Sequence, residues 1–398
     1  MAYTPNPTII NAGTGTGNIN QIRRPLDISQ EVAYYEPNAN PFFLLAQKAS
    51  SKETKDPRFE CLEAQKQPDV DAINAGAGYP LGTETGLVVD HDEYFKAGDL
   101  VQMTRTGEIL RVTAVTAATS TLTVVRGYGT VAGAPIVNDD EIMRLGNAFE
   151  EGANADTSKT VQIDNIRNYT QIFKTSVTIT RTVKNTTLYG GDELSLRHKI
   201  AGVEHSKKIE RQFLYGQRAE YLTTSATNPT TNHPLRMTGG ILSFLSSNQY
   251  SAGGAISEAS FNKEFLRHVY DADGDVKKTR TLFVSSLVGS IMNAWGNGKV
   301  QLVPSDKTFG ITVNRYQCFF GAVNIVLHPL LSGAIYGGYA IAVDLENVGY
   351  RYLAGSDTTL DFDIIKSGAD QQVDQFLTEC GLSVRLEAVH GYAYGITG

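Results

Sequence analysis

A long amphipathic segment from Gly190 to Gln217 constrains the fold of this chain more than any other stretch. Asp192 is the predicted N-cap, because its carboxylate can accept a hydrogen bond from an N–H group of the first turn. Glu193 adds a negative charge where the helix dipole favours one. One apolar stripe at helical spacing is formed by Leu196, Ile200, Val203 and Leu214. The segment therefore predicts a single long helix.

Charged residues on this helix leave two ways of packing it open. The pairs Glu193–Arg197 and Glu204–Lys208 are spaced i,i+4, and each such pair stabilises a helix by about 0.2–0.5 kcal/mol. Lys207 and Glu210, however, lie on the apolar stripe itself. The helix either packs on the core of its own chain alone, as an ordinary amphipathic helix does, or it also contacts neighbouring chains.

Length, composition and charge indicate a folded protein and exclude several classes. The chain has 398 residues, of which 41% are apolar and 19% charged, so it can bury two or three cores. Its formal net charge of −7 argues against a dedicated nucleic-acid binder, which would present a basic face. The N-terminus shows no secretory signal, and no run approaches the ~20 apolar residues that span a bilayer.

The three cysteines, Cys61, Cys318 and Cys380, are odd in number, far apart and free of any CxxC spacing. This pattern predicts a reducing compartment and buried, chemically idle thiols.

The first part of the chain predicts an arm that depends on a partner for its order. Residues 1–36 are rich in Asn, Gly, Thr and Pro, and they cannot bury enough apolar surface to offset their ordering entropy. The glycine-rich run Gly13–Asn18 follows no strand and lacks a GKS sequence, so it does not predict a phosphate loop. Pro41 can begin a short helix, PFFLLAQKA, whose apolar residues anchor the arm to a core or to a neighbour. A short strand, Arg58–Leu62, follows.

Between Leu87 and Leu145 the sequence predicts a small β module. Leu110, Val112 and Ala114 alternate with polar residues, as a half-buried strand requires. The predicted strands are Leu100–Thr104, Glu108–Val115, Thr121–Arg126 and Glu141–Leu145. Short strands with tight turns favour a small barrel or sandwich, or else one wing of a larger β domain.

The segments Asn168–Phe173 and Thr175–Arg181 predict an extended run that leads into the long helix. Paired with residues before Leu87, this run would form a long two-stranded projection. A two-stranded ribbon is marginal by itself, so it would need a neighbouring surface.

The rest of the chain alternates helices and strands, which predicts an α/β layered region. The predicted helices are Met237–Leu245, Ser257–Val269 and Ser286–Asn293. The predicted strands are Thr281–Val284, Ile311–Val313, Cys318–Phe320, Val323–Leu327, Tyr339–Val343 and Gly349–Leu353. We also expect Leu360–Ile365 to pair with a final run, Leu382–Ile396.

No catalytic, cofactor-binding or metal site is predicted. Asp271, Asp273 and Asp275 are spaced to converge on Ca²⁺, but Val276 and Leu282 depart from the EF-hand pattern at its sixth and twelfth positions. An exposed turn is therefore favoured over a cation site.

No zinc site or cross-link is predicted at four other residues. His198 and His205 both lie on the long helix, but they lack the HExxH spacing of a zinc site. Lys159 and Lys174 could form an isopeptide cross-link with an Asn of a neighbour. Because nothing local lowers the pKa of either lysine or supplies an acid, no cross-link is predicted.

The order of these elements resembles that of tailed-bacteriophage major capsid proteins with the Hong Kong 97 fold, in the subgroup with a small β-barrel inserted in the extended loop. The residues that carry the resemblance are Pro37–Pro41, Glu108–Val115, Thr121–Gly127, Asn168–Phe173 and Gly391–Ala393.

The resemblance implies an α+β fold and a role for each part of the chain. In order, it implies an N-terminal arm at 1–62, an extended loop at 63–186 with its barrel at about 87–150, a peripheral domain with the spine helix at 187–222, an axial domain at 223–338, and the peripheral-domain sheet and C-terminus at 339–398.

The function that this resemblance implies is mechanical. Identical subunits would assemble into hexamers and pentamers of an icosahedral shell around double-stranded DNA, inside the host cytoplasm. Because Met1 opens directly onto the arm, the expected scaffolding protein is a separate chain. A portal, a decoration protein and non-specific DNA contact are further expected partners, and a membrane is not.

Two alternatives remain open at this point. A tail-tube or decoration protein would also be a virion part, but tail-tube subunits stack as rings and lack a long spine helix. An enzyme or ligand-binding protein that uses the β module would need a polar cleft with perturbed titratable groups.

Overall fold

The structure is a computed structural model that describes residues 40–64, 68–154, 158–187, 191–221, 233–271, 279–295, 303–304, 314–364 and 368–397. The predicted arm, the glycine-rich run and the predicted strand Ile311–Val313 lie outside the described residues. The chain divides into two compact units, Leu62–Asn165 and the combination of Met1–Cys61 with Ile166–Gly398. We call Leu62–Asn165 the β module and the other unit the main unit.

The strands and helices of both units define a mixed α+β fold. In chain order the strands are β1 (Ser51–Thr54), β2 (Arg58–Ala64), β3 (Val70–Ala72), β4 (Gly86–Val88), β5 (Asp99–Met103), β6 (Ile109–Thr116), β7 (Thr121–Val125), β8 (Glu141–Asn147), β9 (Ile163–Tyr169), β10 (Gln171–Thr180), β11 (Ala219–Tyr221), β12 (Leu235–Met237), β13 (Gln249–Gly254), β14 (Arg280–Val284), β15 (Val303–Pro304), β16 (Asn314–Cys318), β17 (Gly321–Leu327), β18 (Ala340–Val343), β19 (Val348–Leu353), β20 (Thr359–Asp361), β21 (Gln371–Val384) and β22 (Gly391–Ile396). The helices are α1 (Pro41–Ala49), α2 (Arg181–Lys184), α3 (Glu193–Tyr215), α4 (Ile241–Phe244), α5 (Glu258–Phe261), α6 (Arg267–Asp271), α7 (Ser286–Trp295) and α8 (Gly333–Tyr336).

The predicted long helix is confirmed as α3. The carboxylate of Asp192 accepts a hydrogen bond from Ser195 N, so the predicted N-cap is also confirmed. Glu193 pairs with Arg197 at 2.6 Å as predicted. Glu204, however, lies 3.4 Å from Lys207, and Lys208 instead donates to Thr175 Oγ1. The predicted Glu204–Lys208 pair is therefore wrong, because the neighbouring strand offers Lys208 another acceptor.

The apolar stripe predicted for α3 is only partly correct. Leu214 is buried, whereas Leu196, Ile200 and Val203 are half-buried. The buried residues of the helix are Ala201, His205, Lys207, Ile209, Glu210, Phe213 and Leu214. The most buried face thus lies beside the predicted stripe, and Ile200 lines an open groove against β10.

The five-stranded sheet of the main unit carries α3. Its order is β1-β19-β21-β10, with β20 paired to β21. Strand β10 runs antiparallel to β21 along its whole length, from Gln171 opposite Cys380 to Thr180 opposite Gln371. The predicted projection is therefore wrong for Thr175–Arg181, because that run pairs with β21. Of β9 and β10, it is β9 that pairs with a strand before Leu87, namely β2.

A seven-stranded sheet has the order β13-β22-β18-β14-β17-β16-β15 within the described residues. The predicted buried strand is confirmed as β14, all five residues of which are buried. Strands β18 and β22 join β14 and β17 in this sheet, so segments predicted as separate parts, 223–338 and 339–398, share one sheet. The predicted pairing of Leu360–Ile365 with Leu382–Ile396 is also wrong, because β20 pairs with Gln375–Leu377 and β22 pairs with β13 and β18.

The helices predicted after α3 are largely confirmed. Ser257 caps a continuous helix in which a π-helical turn, Asn262–Leu266, joins α5 to α6. Helix α7 matches the prediction from Ser286 onward. Of the predicted helix Met237–Leu245 only α4 forms, because Met237 ends strand β12.

The β module is one curled sheet with its own core. Its six described strands have the order β3-β8-β5-β6-β7-β4, and a bridge between Ile73 and Val89 joins the two edge strands. Alternate residues such as Leu110, Val112, Leu122 and Val124 point into a fully buried cluster. The module begins well before the predicted boundary at 87, because β3 supplies one edge.

The predicted buried thiols are confirmed, since Cys61, Cys318 and Cys380 are all buried and free. Among the described residues, no helix combines the length and the apolar character that crossing a membrane requires.

Candidate functional site

The described residues bring together no catalytic or metal constellation. No group of three His, Cys, Asp or Glu side chains among them could hold a metal ion. Asp271 ends α6, while Asp273 and Asp275 lie outside the described residues. The functional geometry instead consists of buried polar anchors in the main unit, ion pairs in the β module, and an open cleft beside α3.

The first anchor is His205, which joins α3 to the five-stranded sheet through a chain of hydroxyl groups. Thr378 Oγ1 donates to Thr358, so it accepts from His205 Nε2 at 2.8 Å. Lys208 Nζ donates to Thr175 Oγ1. The Thr175 hydroxyl group therefore donates its own proton to His205 Nδ1, 3.0 Å away. The imidazole is therefore neutral. Burial, with the charge of Lys208, lowers the pKa of His205 to about 4.

The second anchor is Asp374 on β21, a fully buried carboxylate. It accepts hydrogen bonds from Asp363 N at 2.9 Å, from Gln372 Nε2 and from His198 Nε2 at 2.7 Å. Burial alone would raise the pKa of Asp374, but these hydrogen bonds outweigh it and hold the pKa below its usual value. His198 and His205 thus bind separate partners and form no common site.

The third anchor is Glu210, the charge that the sequence places on the apolar stripe. Its two carboxylate oxygens accept hydrogen bonds from Phe42 N at 2.8 Å and Phe43 N at 2.6 Å. These groups are the free N–H donors at the start of α1, where the Asn40 side chain makes no cap. Glu210 therefore caps α1 from a distant helix. The predicted anchoring role of Phe42 and Phe43 is confirmed, because both rings lie in the main core.

The fourth anchor explains the Asn168–Phe173 motif. Asn168 Nδ2 donates to Leu382 O at 2.6 Å and to Gly239 O at 3.1 Å, while its Oδ1 accepts from Gly239 N at 2.8 Å. In the same motif, Thr170 Oγ1 donates to Glu379. The polar residues of the motif therefore tie β9 and β10 to β21 and to the loop that contains Gly239.

Close packing explains the residue types of the Gly391–Ala393 motif. A Cβ atom on Gly391 would lie 2.8 Å from Asn248 O, so only glycine permits this close approach. The Tyr392 ring stacks on Tyr339 at 5.9 Å, and Ala393 is fully buried opposite Ala340. The motif fixes β22 within the seven-stranded sheet.

In the β module, buried carboxylates are paired with arginines. Glu108 is fully buried and accepts two bonds from Arg126, at 2.8 and 2.7 Å, and one each from Gly127 N and Ala134 N. Burial alone would raise the pKa of Glu108, but these bonds lower it below its usual value. Asp140 accepts a similar pair of bonds from Arg105. These contacts stabilise turns of the module.

The expectation that nothing lowers the pKa of Lys159 is wrong. Partial burial lowers its pKa, although Asp99 and Asp92 oppose the shift. Its Nζ donates to the carbonyl oxygens of Glu93 and Phe95. Lys159 is therefore occupied within its own module.

An open cleft of about 610 Å³ lies between β10 and the C-terminal half of α3. Its lining includes Lys174, Lys208, Arg211, Gln171 and Gln212, and no acidic residue is among its described lining. We call it the cationic cleft. No local sequence pattern predicts this cleft, because its charges come from two segments more than thirty residues apart. The available signal was the run of basic residues, Lys207, Lys208 and Arg211, on one helix.

Solved structures of similar fold include the capsid of a GTA particle and a structure of a mycobacteriophage. The capsid of a native GTA particle matches with a TM-score of 0.52 and 11% identity, covering 97% of this chain and all of that one. The structure of Mycobacterium phage Bobi matches with a TM-score of 0.51 and 10% identity, again over 97% of this chain and all of that one. The fold is therefore that of a phage-type capsid subunit.

Sequence comparison identifies the family. The family model for the SU10 major capsid protein matches residues 8–397. The major capsid protein of Pseudomonas phage PaMx41 is 24% identical over 290 residues, which is 70% of this chain and 67% of that protein. The chain belongs to the SU10 major capsid protein family, and it is the major capsid protein of a tailed phage. The family is one of structural proteins, so the tail-tube, decoration and enzyme alternatives find no support.

Proposed function

We propose that this chain assembles into hexamers and pentamers of an icosahedral head shell that encloses the double-stranded DNA genome of a tailed phage. The observation that carries the proposal is the family match, which extends over nearly the whole chain, from residue 8 to residue 397.

The parts of the chain correspond to the domains of the Hong Kong 97 fold. The five-stranded sheet with α3 is the peripheral domain, and α3 is its spine. The seven-stranded sheet is the axial domain, and it includes β18 and β22 as well as the residues between 223 and 338. The β module is the barrel insertion of the extended loop, and the residues before α1 are the arm.

Assembly occurs in the host cytoplasm with a separate scaffolding protein and a portal, and a decoration protein is a further partner. Contact with packaged DNA is non-specific, because the net charge of −7 does not suit a tight grip on phosphates.

The test is expression of the full chain with and without the scaffolding protein of the same phage, followed by gradient sedimentation and negative-stain microscopy. We expect closed shells when scaffold is present. Stacked rings would indicate a tail-tube protein, and monomers at high concentration with scaffold present would contradict the proposal.

A further inference from the structure

The cationic cleft is a surface whose charge is not neutralised within the main unit. Lys174 and Arg211 are exposed, and neither has a carboxylate partner among the described residues. Among the described residues, Lys208 donates to the neutral groups Thr175 Oγ1 and Lys174 O. Three cations around one cleft, without a counter-charge, create a local positive potential on a chain whose net charge is negative.

The apolar part of this cleft favours a protein partner over a nucleic acid. Ile172 lines it with 57% of its surface exposed, and Phe173 and Leu330 line it as well. Tyr215 also lines the cleft, and its ring centroid lies 4.3 Å from that of Tyr336. Tyrosine, arginine and exposed aliphatic groups together are typical of the central part of protein–protein interfaces.

The β module has the complementary charge. Residues 62–165 contain 16 acidic and 7 basic residues, whereas the whole chain has 42 against 35. Internal ion pairs occupy three of the module's four arginines, Arg105, Arg126 and Arg144, which contact Asp140, Glu108 and Asp69 at 2.6–2.8 Å. The fourth, Arg111, lies over the ring of Tyr128. Lys159 is occupied by backbone carbonyls. The surface that remains is therefore acidic.

Three exposed carboxylates of the module lie around one short segment, the end of β3. Asp90 N donates to Ala72 O, Asp139 N donates to Ile73 O, and Glu141 is the register partner of Ala72. None of the three forms an ion pair with a lysine or arginine among the described residues, and Asp90 accepts a hydrogen bond from Asn74 Nδ2. We call this region the acidic end of the module.

We propose that the cationic cleft of one subunit receives the acidic end of the β module of a second copy of this chain. Lys174 and Arg211 then face Asp90, Asp139 and Glu141, while Ile172 and Tyr215 supply the apolar contact. The inference rests on the proposed shell function and adds to it the pair of surfaces that meet. Complementary charges of this kind set the register of an interface and reject wrong partners.

A charge swap tests the pairing. The cleft variant is Lys174→Glu with Arg211→Glu, the module variant is Asp139→Lys with Glu141→Lys, and the third protein carries all four changes. Each two-residue variant should lower the shell yield by about tenfold or more, because like charges then meet at the interface. The four-residue variant should return the yield to within about twofold of wild type, since the charges again match.

Matched controls carry the same charge changes elsewhere on the surface. These are Lys52→Glu with Lys199→Glu, and Glu150→Lys with Glu151→Lys, all at exposed positions. Both controls should assemble as wild type does. Thermal unfolding of the unassembled subunits should be unchanged in the cleft variant and in both controls, because these side chains are exposed. A small loss is expected in the module variant, because Asp139 has a φ of 62°, where Lys is less favoured than Asp.

Each outcome decides the inference. Normal shell yield from the cleft variant overturns it, and so does failure of the four-residue variant to recover. Shells that form normally but retain less DNA also overturn it, because they assign the cleft to nucleic acid. Failure of the wild-type chain to form shells with scaffold present contradicts the proposed function itself.

Discussion

His328 donates a hydrogen bond from Nε2 to Glu210 Oε1 over 2.6 Å, and both side chains are fully buried. Leu330 N donates to the other ring nitrogen, His328 Nδ1, so a neutral imidazole satisfies both contacts. Since Glu210 also caps α1, one carboxylate connects α1, α3 and the end of β17. The start of the described chain is thereby fixed to the centre of the main unit.

Replacing Glu210 with Gln should destabilise the main unit. An amide has one acceptor oxygen, and its NH₂ group would face either the N–H groups of α1 or the imidazole N–H. We expect the free energy of unfolding to decrease by about 2–3 kcal/mol, because α1 loses its cap and a buried donor is left without an acceptor. Denaturant unfolding of the unassembled subunit would measure it.

Glu204→Gln is the matched control, because Glu204 is on the same helix and its side chain is 43% exposed. An exposed pair is worth roughly 0–1 kcal/mol. An equal effect of the two substitutions would contradict the capping role of Glu210.

Acid should destabilise the main unit in a defined pH range. Burial lowers the pKa of both His205 and His390 to about 4, and each imidazole is neutral in the folded state. The unfolded chain, with an ordinary pKa near 6.5, binds more protons between pH 6.5 and 4. Stability is therefore complete above about pH 6.5 and decreases as the pH falls towards 4, by about 3 kcal/mol for each imidazole.

Urea midpoints measured at steps between pH 8 and 4 would show this decrease. Because Gln does not titrate, the double variant His205→Gln with His390→Gln should have a flatter profile, even if it is less stable at pH 8. A profile as steep as that of wild type would mean that other groups cause the acid sensitivity.

The isosteric change Asn168→Asp should also destabilise the main unit. A carboxylate oxygen would replace the NH₂ group and face the carbonyl oxygens of Leu382 and Gly239. We expect a loss of at least about 2–3 kcal/mol, because buried acceptors would be left without donors. Thermal unfolding would measure it, with Asn185→Asp at an exposed helix end as the control. Equal midpoints for the two variants would contradict the anchoring role of Asn168.

Glu108→Gln should destabilise the β module alone. The change removes the close charged partner of the nearly buried Arg126, whose second carboxylate, Glu84, lies farther away at 3.8 Å. Breaking a buried ion pair costs roughly 3–5 kcal/mol. Hydrogen exchange should accelerate in β6 and β7 and stay unchanged in β14, because the module has a separate core. The exposed change Glu93→Gln should have no such effect. Equal acceleration in β14 would show that the two cores unfold together.

Local signals explain what the sequence could predict. Helix α3 was predicted within three residues at each end, because Asp192 and Glu193 mark its start. The strands β5 to β8 were predicted because alternation reveals a half-buried strand directly. Helix α1 was predicted because a proline stands before an apolar run.

Long-range partners explain what the sequence could not predict. Alternation in β10 shows which face is buried, but it does not reveal that the partner is β21, about two hundred residues later. Glu210 was recognised as a misplaced charge, yet its partners Phe42 and Phe43 are 168 and 167 residues away. Strands of three residues, such as β3 and β4, are too short to show a period. The cationic cleft was missed for the same reason, since β10 and α3 contribute its charges separately.

The pairing of β2 with β9 has a practical consequence for engineering. The chain crosses from the main unit into the β module and back again along two hydrogen-bonded neighbours, so both cut points lie side by side. Any guest domain with closely spaced termini could be inserted between Cys61 and Ile166 without distorting the main unit. The natural module then becomes an exchangeable cassette in the unassembled subunit, whereas a guest without an acidic end of its own should not support shell formation.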